Sequence, residues 1–345
     1  MEKKYLVVNL GSASKRYALY EGIPPAGGEK LSKHYEKDEM DHADFESAGE
    51  SFIKEFGVED VAGIGLRVVA SGSYFREDRI INEEYLENLE KAKEKAPLHL
   101  TPLIEEIEKL KQLMPDVSMV GVSDSAFHSD LPKHSSIYNI PQEDAKALDI
   151  YRFGYHGIAM ESVLRKIQKE DGSVPEKIIV AHLGSGASVT AIKDSKSFDT
   201  SMGATPLEGL PMSTRVGNIG AGALIQLAKE KTMNLDELNE YLNTKCGLLG
   251  LSGKTGHVKE LLELKDSGDE NAKLALETFV YNVKKYIGAY TAVLGGLDLL
   301  VFSGTISERS DSMREMILDG LQISDVKVIK INELEEIALR TKNLL

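Results

Sequence analysis

The sequence has a single cysteine, no tryptophan and a deficit of positive charge. Because Cys246 stands alone, an internal disulfide and a cysteine-rich metal site are excluded, which is typical of a reducing compartment; we expect this residue to be small, apolar and buried. The formal net charge of −14 argues against a surface for nucleic acid or an anionic membrane, since both need a basic patch. A small anionic substrate could still bind at a local cluster of arginines.

Long hydrophobic runs are also missing. No apolar run approaches the roughly 20 residues that a helix needs to cross a bilayer. The opening MEKKYLVVNLG passes from two lysines into a short strand, without the apolar core of a secretory signal. We therefore expect a cytoplasmic protein. Hydrophobic residues at 42% and charged residues at 28% are ordinary for a globular chain, and a length of 345 residues predicts two domains.

A glycine turn between two apolar runs is the first candidate for a binding site. The run Ile178–Ala181 leads into Gly184, Ser185 and Gly186, and a second run, Ser188–Ile192, leaves the turn. This pattern predicts strand, turn and strand. Glycines adopt positive φ readily and carry no Cβ, so their N–H groups can converge on a phosphate. An ordinary hairpin would show the same pattern.

A partial copy of this turn occurs early in the chain. The segment Val7–Ser14 shares the apolar run and the Leu-Gly-Ser core, and Gly184 lies 173 residues after Gly11, half of the chain length. Self-similarity at this spacing predicts a duplicated domain with one phosphate loop in each half.

The repeat also suggests where the domains divide. We place an N-terminal domain at 1–150, a C-terminal domain at 151–330, and a terminal helix at 331–345 that returns to the N-terminal domain.

Three predicted strands end in polar or glycine residues. Arg67 lies near the end of the strand 61–69, where a buried arginine needs an anion or a structural ion pair. Asp124 follows the strand 117–122, the usual place for a functional carboxylate in an open α/β sheet, although it could also cap a turn. Gly304 follows the strand 299–303 and opens a helix, a pattern shared by phosphate contacts and plain strand–helix connections.

Eight motifs follow one another along nearly the whole chain: NLGSASKRY (9–17), GLRVV (65–69), APLH (96–99), SDSAFHSDLP (123–132), FGYHG (153–157), HLGSGAS (182–188), DTSMGATPLEGLPMSTRVG (199–217) and SGTISE (303–308). In this combination and order they resemble the acetate kinase family of short-chain carboxylate kinases, members of the actin-like ATPase fold. The resemblance implies an α/β protein with duplicated actin-like ATPase (ribonuclease H-like) domains, whose mixed sheets are flanked by helices. It also implies a homodimer whose domains close around the nucleotide.

The implied reaction is reversible phosphoryl transfer between ATP and acetate, with Mg²⁺, giving acetyl phosphate and ADP. Such chemistry relies on positioning and charge stabilisation, so arginines, a histidine and oxygen ligands are the expected side chains. By resemblance, Arg67 and Arg215 grip the carboxylate and the moving phosphoryl group, His156 hydrogen-bonds that group, and Asp124 orients the acid or Arg67. Asn9 and Glu333 resemble the positions that organise Mg²⁺.

Further residues match the family's nucleotide loops and acid pocket. The nucleotide set is Ser12, Ser14, Arg16, His182, Gly184, Ser185, Gly186, Gly304, Ile306, Ser307 and Glu308. The apolar pocket for the methyl end of the acid, on the N-terminal side of the molecule by this resemblance, is matched by Val69, Leu98, Tyr155 and Pro206. Such a pocket discriminates poorly between acids, because one methylene is worth about 1–3 kcal/mol.

The chain departs from the family at several positions. Ser307 stands where the adenosine motif has glycine, Asn218 replaces an acidic residue, and Leu334 replaces the second of two glutamates. These departures leave three hypotheses: an acetate kinase; a kinase for another acid, such as propionate or butyrate, or with another phosphoryl donor; and a non-catalytic sensor of nucleotide or acyl phosphate. The complete phosphoryl-binding set favours an enzyme over a sensor.

Overall fold

The computed structural model describes residues 3–10, 15–21, 32–39, 61–93 and 97–345, with the backbone alone described for 32–39 and 97–99. The chain divides into two compact units. The first unit comprises Met1–Ser129, Gly157–Ser162 and Asn332–Leu345, and the second comprises Asp130–His156 and Val163–Ile331.

Each unit is built on a mixed β-sheet. The strands are β1 (Lys4–Leu10), β2 (Lys15–Glu21), β3 (Ser32–Glu39), β4 (Val61–Val68), β5 (Arg79–Ile80), β6 (Met119–Ser123), β7 (Lys177–Leu183), β8 (Ala187–Lys193), β9 (Lys196–Thr200), β10 (Leu299–Ser303) and β11 (Val326–Val328). The strand order is β3-β2-β1-β4-β6-β5 in the first unit and β11-β10-β7-β8-β9 in the second.

Helices connect and flank the strands. Those of the described residues are α1 (Glu83–Lys93), α2 (Pro97–Leu113), α3 (Lys133–Ser136), α4 (Gln142–Leu148), α5 (Gly157–Asp171), α6 (Ala221–Glu230), α7 (Leu235–Thr244), α8 (Gly247–Ser252), α9 (Val258–Asp266), α10 (Glu270–Leu294), α11 (Thr305–Arg309), α12 (Asp311–Leu318) and α13 (Glu333–Leu344). Within the described part of the chain, none of them combines the length and the apolar character needed to span a bilayer.

The central strands carry apolar side chains on both faces because both faces of each sheet are covered. In β1, every residue from Tyr5 to Asn9 is buried, and β10 is buried throughout. Continuous burial of this kind is typical of parallel strands beneath helices. In the first unit, one cluster on β4 packs against α1 and α2, while a second joins β1 and β2 to Ile158, Leu334 and Ile337.

Two glycines in β4 let α13 pack closely on the first sheet. A Cβ at Gly65 would lie 2.0 Å from Thr341 Oγ1 and 2.9 Å from Ile337 Cγ2, and a Cβ at Gly63 would lie 2.2 Å from Leu345 Cδ1. A larger residue at Gly65 would push the helix away from the strand, whereas at Gly63 the contacting atom is the end of the flexible Leu345 side chain, which can move. Gly65 therefore determines how near α13 comes to β4.

The two compact units differ from the predicted domains, which divide the chain at residue 150. Residues 130–156 group with the second unit, and Gly157–Ser162, the start of α5, group with the first. The segment from Asn332 onward, which contains the terminal helix, also groups with the first. Packing against the sheets accounts for the two shifted segments: Ser135 Oγ donates to Phe198 O of β9 at 2.9 Å, and Ile158 belongs to the core cluster of β1 and β2.

One sequence expectation is wrong. Cys246 is half-buried rather than buried, and it immediately precedes α8, a six-residue helix that the sequence pattern does not predict. The segment GLLGLS contains two glycines and is too short for helical periodicity to show.

Candidate active site

In the first unit, Arg67 is held between two carboxylates near the end of β4. Its Nη2 donates to Asp124 Oδ2 at 2.9 Å, and its Nη1 lies 3.5 Å from Glu333 Oε2. The Arg67 side chain is only 12% exposed and that of Asp124 1%. Burial disfavours the charged guanidinium, yet the charges of Asp124 and Glu333 outweigh burial and raise the pKa of Arg67. The arginine therefore stays cationic at any pH where the protein is folded.

Arg67 also keeps hydrogen-bonding capacity for a ligand. A guanidinium has five N–H donors in a fixed fork. Two of them serve Asp124 and Asn9 Oδ1, the latter through a long 3.4 Å hydrogen bond, and the buried Nε has no partner among the described residues. The remaining donors suit a carboxylate or a phosphoryl oxygen, which a guanidinium binds in bidentate geometry.

The sheet topology brings these side chains together. Asn9 lies at the end of β1 and Arg67 near the end of the neighbouring parallel strand β4. Asp124 comes directly after β6, where its amide donates to Val68 O at 3.0 Å, and Glu333 occupies the first turn of α13. Side chains at the carboxyl edge of parallel strands are the usual place for ligand binding in α/β folds.

Asn9 and Glu333 suit a Mg²⁺ ion only if water and substrate supply most of its ligands. Asn9 Nδ2 donates to Glu333 Oε2 at 3.0 Å. The described residues hold no group of three or more His, Cys, Asp and Glu side chains arranged around a metal position. Mg²⁺ commonly takes one or two carboxylates from the protein and its other ligands from water and substrate phosphates, and one glutamate beside an amide can serve that mode. Leu334, where the family has a second glutamate, is a buried core residue.

In the second unit, two histidines lie side by side, and each contacts a serine hydroxyl. His156 Nδ1 lies 3.0 Å from Ser188 Oγ, His182 Nδ1 lies 3.1 Å from Ser303 Oγ, and the two ring centroids are 4.6 Å apart. His156 has φ 62°, a left-handed conformation unusual for a residue other than glycine. Such strain persists only where the surroundings fix it, and it often accompanies function.

The glycine turn approaches His156 and Arg215 of the same unit. Gly184 N donates to Gly186 O at 2.9 Å, which closes a tight turn between β7 and β8. A Cβ at Gly186 would lie 3.3 Å from His156 Nε2 and 3.7 Å from Arg215 Nη1. The second unit thus brings the turn, the histidine and the arginine together, as an oxyanion or phosphoryl site requires. Ser185, at the tip of the turn, is exposed.

The segment that follows β10 is held mainly by contacts within the protein. Gly304 has φ 83°, and a Cβ there would lie 2.6 Å from Leu183 O, so glycine is required. Glu308 Oε1 accepts a hydrogen bond of 3.1 Å from Gly304 N. Ser307 is fully buried and its Oγ has no partner among the described residues, whereas Ile306 is half-buried. The serine hydroxyl is therefore packed inside the protein and does not narrow a surface groove.

The other predicted residues are placed as follows. Val69 is half-buried beyond β4, whereas Pro206 and Tyr155 are buried in the second unit, with Tyr155 Oη donating to Ala204 O at 2.8 Å. Arg16 pairs across the hairpin with Asn9. Leu98 belongs to α2, but its side chain is outside the described residues.

Ser12 and Ser14 also lie outside the described residues, so the first glycine turn stays a prediction.

Sequence reasoning missed the serines that hold the histidines. Ser188 and Ser303 both lie directly opposite His182, Ser188 on β8 and Ser303 on β10. The strand register could have identified them, because residues opposite each other on neighbouring strands share one face of the sheet. Two further side chains in the first unit, Asp78 and Arg340, were also missed.

Comparisons with known proteins agree over most of the chain. The model of the Acetokinase family matches residues 29–341. An acetate kinase of Desulfitobacterium hafniense (strain DSM 10664 / DCB-2) is 38% identical, with 94% of this chain and 88% of that protein covered. An acetate kinase of Desulforamulus reducens is also 38% identical, with 94% and 89% covered.

Solved structures are similar over the whole chain. The crystal structure of a propionate kinase from Francisella tularensis aligns with a TM-score of 0.87 at 31% identity, covering 99% of this chain and 100% of the other. The structure of Porphyromonas gingivalis acetate kinase aligns with a TM-score of 0.83 at 29% identity, covering 99% of each chain.

Proposed function

The chain belongs to the acetokinase family, and we propose that it transfers a phosphoryl group reversibly from ATP to acetate, giving acetyl phosphate and ADP. The fold is that of the actin-like ATPases, with a mixed sheet in each of two units. The chain is accordingly a phosphotransferase with a carboxyl group as acceptor. Acetate as the acid, ATP as the donor, dependence on Mg²⁺ and the direction of the reaction belong to the proposal.

The observation that carries the proposal is the setting of Arg67. A buried arginine costs stability unless it is paired, and here Asp124 and Glu333 hold it cationic while donors remain for a ligand. The buried Arg67 Nε has no partner among the described residues, so part of the guanidinium fork is left for a ligand. The arrangement suits an arginine that meets negative charge arriving with a substrate.

In the proposed reaction, a carboxylate oxygen of acetate attacks the γ-phosphorus of ATP, and the bond from that phosphorus to the bridging oxygen of ADP breaks. Acetate is already ionised at pH 7, so no strong general base is required. Arg67 orients the acid, and Asp124 holds Arg67. His156 and Arg215, with the Gly184–Gly186 turn, stabilise charge on the moving phosphoryl group.

Magnesium enters the proposal through Asn9 and Glu333. Bound Mg²⁺ would neutralise charge on the nucleotide phosphates. Asn9 holds the Glu333 carboxylate by its amide, so the two side chains act as one unit whether or not the ion is present. Addition of EDTA should abolish turnover, and excess Mg²⁺ should restore it. Turnover that persists in EDTA would contradict this part of the proposal.

The test is a hydroxamate-trapping assay of purified protein with ATP, Mg²⁺ and acetate. Propionate, butyrate, GTP and pyrophosphate are run in parallel, and Arg67→Ala serves as the inactive control. We expect acyl hydroxamate with acetate and ATP. Folded protein that yields no acyl phosphate with any acid or donor would refute the proposal.

Propionate is the second candidate acid. The similar protein from Francisella tularensis is named a propionate kinase, and its structure aligns with this chain over its whole length. The residues that match the family's acid pocket, Val69, Leu98, Tyr155 and Pro206, are the proposed determinants of acid size. A kcat/KM for propionate within about tenfold of that for acetate would match the small energy of one methylene.

Two further proposals come from the family. We propose that the protein works in the cytoplasm and that it is a homodimer. Size-exclusion chromatography with light scattering tests the oligomeric state directly, and a mass of 37.9 kDa in solution would contradict the dimer.

A further inference from the structure

We propose that Asp78 and Arg340 form a positioning pair that grips the Ser123 peptide and thereby sets both Asp124 and Glu333 around Arg67. This inference rests on the proposed function for its kinetic consequence. Asp78 precedes β5 and Arg340 belongs to α13, so the pair joins two segments that are far apart in sequence. Neither residue belongs to a motif singled out from the sequence.

The pair completes the edge of the sheet where a strand is missing. β5 pairs with β6 only as far as Arg79 opposite Gly121, so the peptide groups of Ser123 lie beyond its reach. Asp78 Oδ1 accepts from Ser123 N at 2.8 Å, and Arg340 Nη2 donates to Ser123 O at 3.0 Å. Side chains thus satisfy both backbone groups that a longer β5 would have bonded.

The carboxylate and the guanidinium also hold each other. Arg340 Nε donates to Asp78 Oδ2 at 2.7 Å, and Nη2 donates to Asp78 Oδ1. This two-point pairing fixes the orientation of both side chains, and the Arg340 side chain is only 10% exposed. A lysine could not make the same fork.

The peptide that they grip is the one before the candidate catalytic carboxylate. Ser123 is followed directly by Asp124, whose Oδ2 bonds Arg67. On the opposite side of the strand, Asp124 N donates to Val68 O at 3.0 Å. The end of β6 is therefore held from both sides, by β4 on one and by the Asp78–Arg340 pair on the other. Loss of either restraint lets Asp124 shift relative to Arg67.

The same helix carries the second carboxylate. Arg340 follows Glu333 by seven residues, two turns of helix, so the two side chains lie on one face of α13. Bonding of Arg340 to Ser123 fixes the position of α13 along the sheet. Glu333 is thereby set 3.5 Å from Arg67. One pair of side chains thus places both carboxylates that surround the arginine.

Glu161 provides a matched control within the same network. Its Oε2 accepts from Arg340 Nη1 at 3.1 Å, a nitrogen that takes no part in holding Ser123. Replacing Glu161 with glutamine removes a charged partner of Arg340 but leaves the grip on the peptide. The variants to compare are Asp78→Asn, Arg340→Lys and Glu161→Gln. Asp78→Asn keeps the side-chain volume but places an amide NH₂ against one of the donors.

Two readouts separate positioning from general stability. The first is hydrogen exchange of the Ser123 amide in the folded protein, which needs no activity. We expect exchange to be about tenfold faster in Asp78→Asn, since the Ser123 N–H loses a charged acceptor, and unchanged in Glu161→Gln. The second is kcat, which we expect to fall about tenfold in Asp78→Asn and Arg340→Lys, because a shift of about 1 Å at reacting groups can cost about 100-fold.

The KM for ATP should stay within about twofold in these variants, since none of the three substituted side chains is a predicted nucleotide-binding residue. Equal kcat values per folded molecule for Asp78→Asn, Arg340→Lys and Glu161→Gln would overturn the positioning role. Unchanged exchange at Ser123 in Asp78→Asn would overturn it independently of activity. Wild-type protein that is inactive in the hydroxamate assay would instead refute the proposed function. The hydrogen-exchange experiment would still test whether Asp78 and Arg340 hold the Ser123 backbone.

Discussion

The two units use one strand arrangement for two kinds of chemistry. In each, an antiparallel hairpin leads into two parallel strands, β2-β1-β4-β6 in the first unit and β8-β7-β10-β11 in the second. Asn9 in β1 and His182 in β7 occupy the same place in the sequence repeat. The first is bonded to an arginine on the neighbouring strand and the second to a serine. The backbone is repeated, whereas the side chains at the strand ends differ.

The residues that follow β6 and β11 show the same contrast between a repeated backbone and different side chains. Directly after the third strand, Asp124 N donates to Val68 O in the first unit and Ile329 N donates to Phe302 O in the second, at 3.0 and 2.9 Å. The backbone bond is equivalent, but the side chain is a carboxylate in one unit and a buried isoleucine in the other. The first unit places an arginine between two carboxylates, whereas the second places histidines bonded to serines beside a glycine turn and Arg215.

The largest expected effect comes from removing the charge at the centre of the first unit. Arg67→Ala should lower kcat about 1000-fold, because the donors that meet the substrate are lost. Stability should fall far less than turnover. Hydroxamate assays and thermal melts measure the two effects. Arg79→Ala, which removes an arginine on the surface of the same unit, is the control and should leave kcat within about twofold. Full activity of folded Arg67→Ala would show that the charged site of the first unit is not needed for catalysis.

The equivalent positions after the third strand should respond in opposite ways. Asp124→Asn should lower kcat about 100-fold with little loss of stability, because Arg67 loses its charged partner. Ile329→Ala should cost about 2–4 kcal/mol of unfolding free energy by leaving a cavity, with kcat per folded molecule unchanged. Chemical denaturation and steady-state kinetics on both variants give the answer. A loss of kcat in Ile329→Ala equal to that in Asp124→Asn would show that both units use this position for catalysis.

Close helix packing in the first unit should make one glycine indispensable. Gly65→Ala should destabilise the protein by about 1–3 kcal/mol, since the new Cβ would overlap Thr341 and Ile337 of α13. Gly288 in α10 of the second unit has open space around it, and Gly288→Ala should stabilise by about 0.5–1 kcal/mol. Urea unfolding compares the two. Equal effects in both variants would show that α13 is not held against β4 as described.

The smallest expected effect comes from the histidine–serine contact in the second unit. Ser188→Ala removes the partner of His156 Nδ1 and should lower kcat about fivefold to tenfold, the kinetic equivalent of one hydrogen bond of about 1 kcal/mol. Thr190→Val, two residues along the same strand, removes a hydroxyl that bonds Thr200 and should leave kcat unchanged. Equal kinetics in both variants would exclude a role for Ser188 in holding the histidine.

Much of the fold follows from local patterns in the sequence. The apolar run 299–303 predicts β10 at its observed bounds, and the helical spacing of apolar residues over 271–294 predicts α10 within one residue. The run Ile178–Ala181 predicts β7 but stops two residues before its observed end. Short elements are harder, because α8 and α11 have six and five residues and contain too few turns to show a period. Their existence depends on the surrounding structure.

The candidate site is predictable only in part. Residues within motifs, such as Arg67 and His156, are found from the order of the motifs. Their contacts are not, because Ser188, although it lies within a motif, and Arg340 become neighbours of the site only through strand register and helix docking. A residue that acts through another residue has no local pattern of its own.

The packing of α13 on β4 also affects the order in which the chain can fold during synthesis. Leu334, Ile337 and Ala338 complete the core cluster that contains Tyr5 and Val7, which the ribosome makes some 330 residues earlier. The second unit, in contrast, is fully synthesised by Ile331. The unit that is synthesised first therefore completes its core last, because β1 and β4 lack the cover of α13 until that helix has been made.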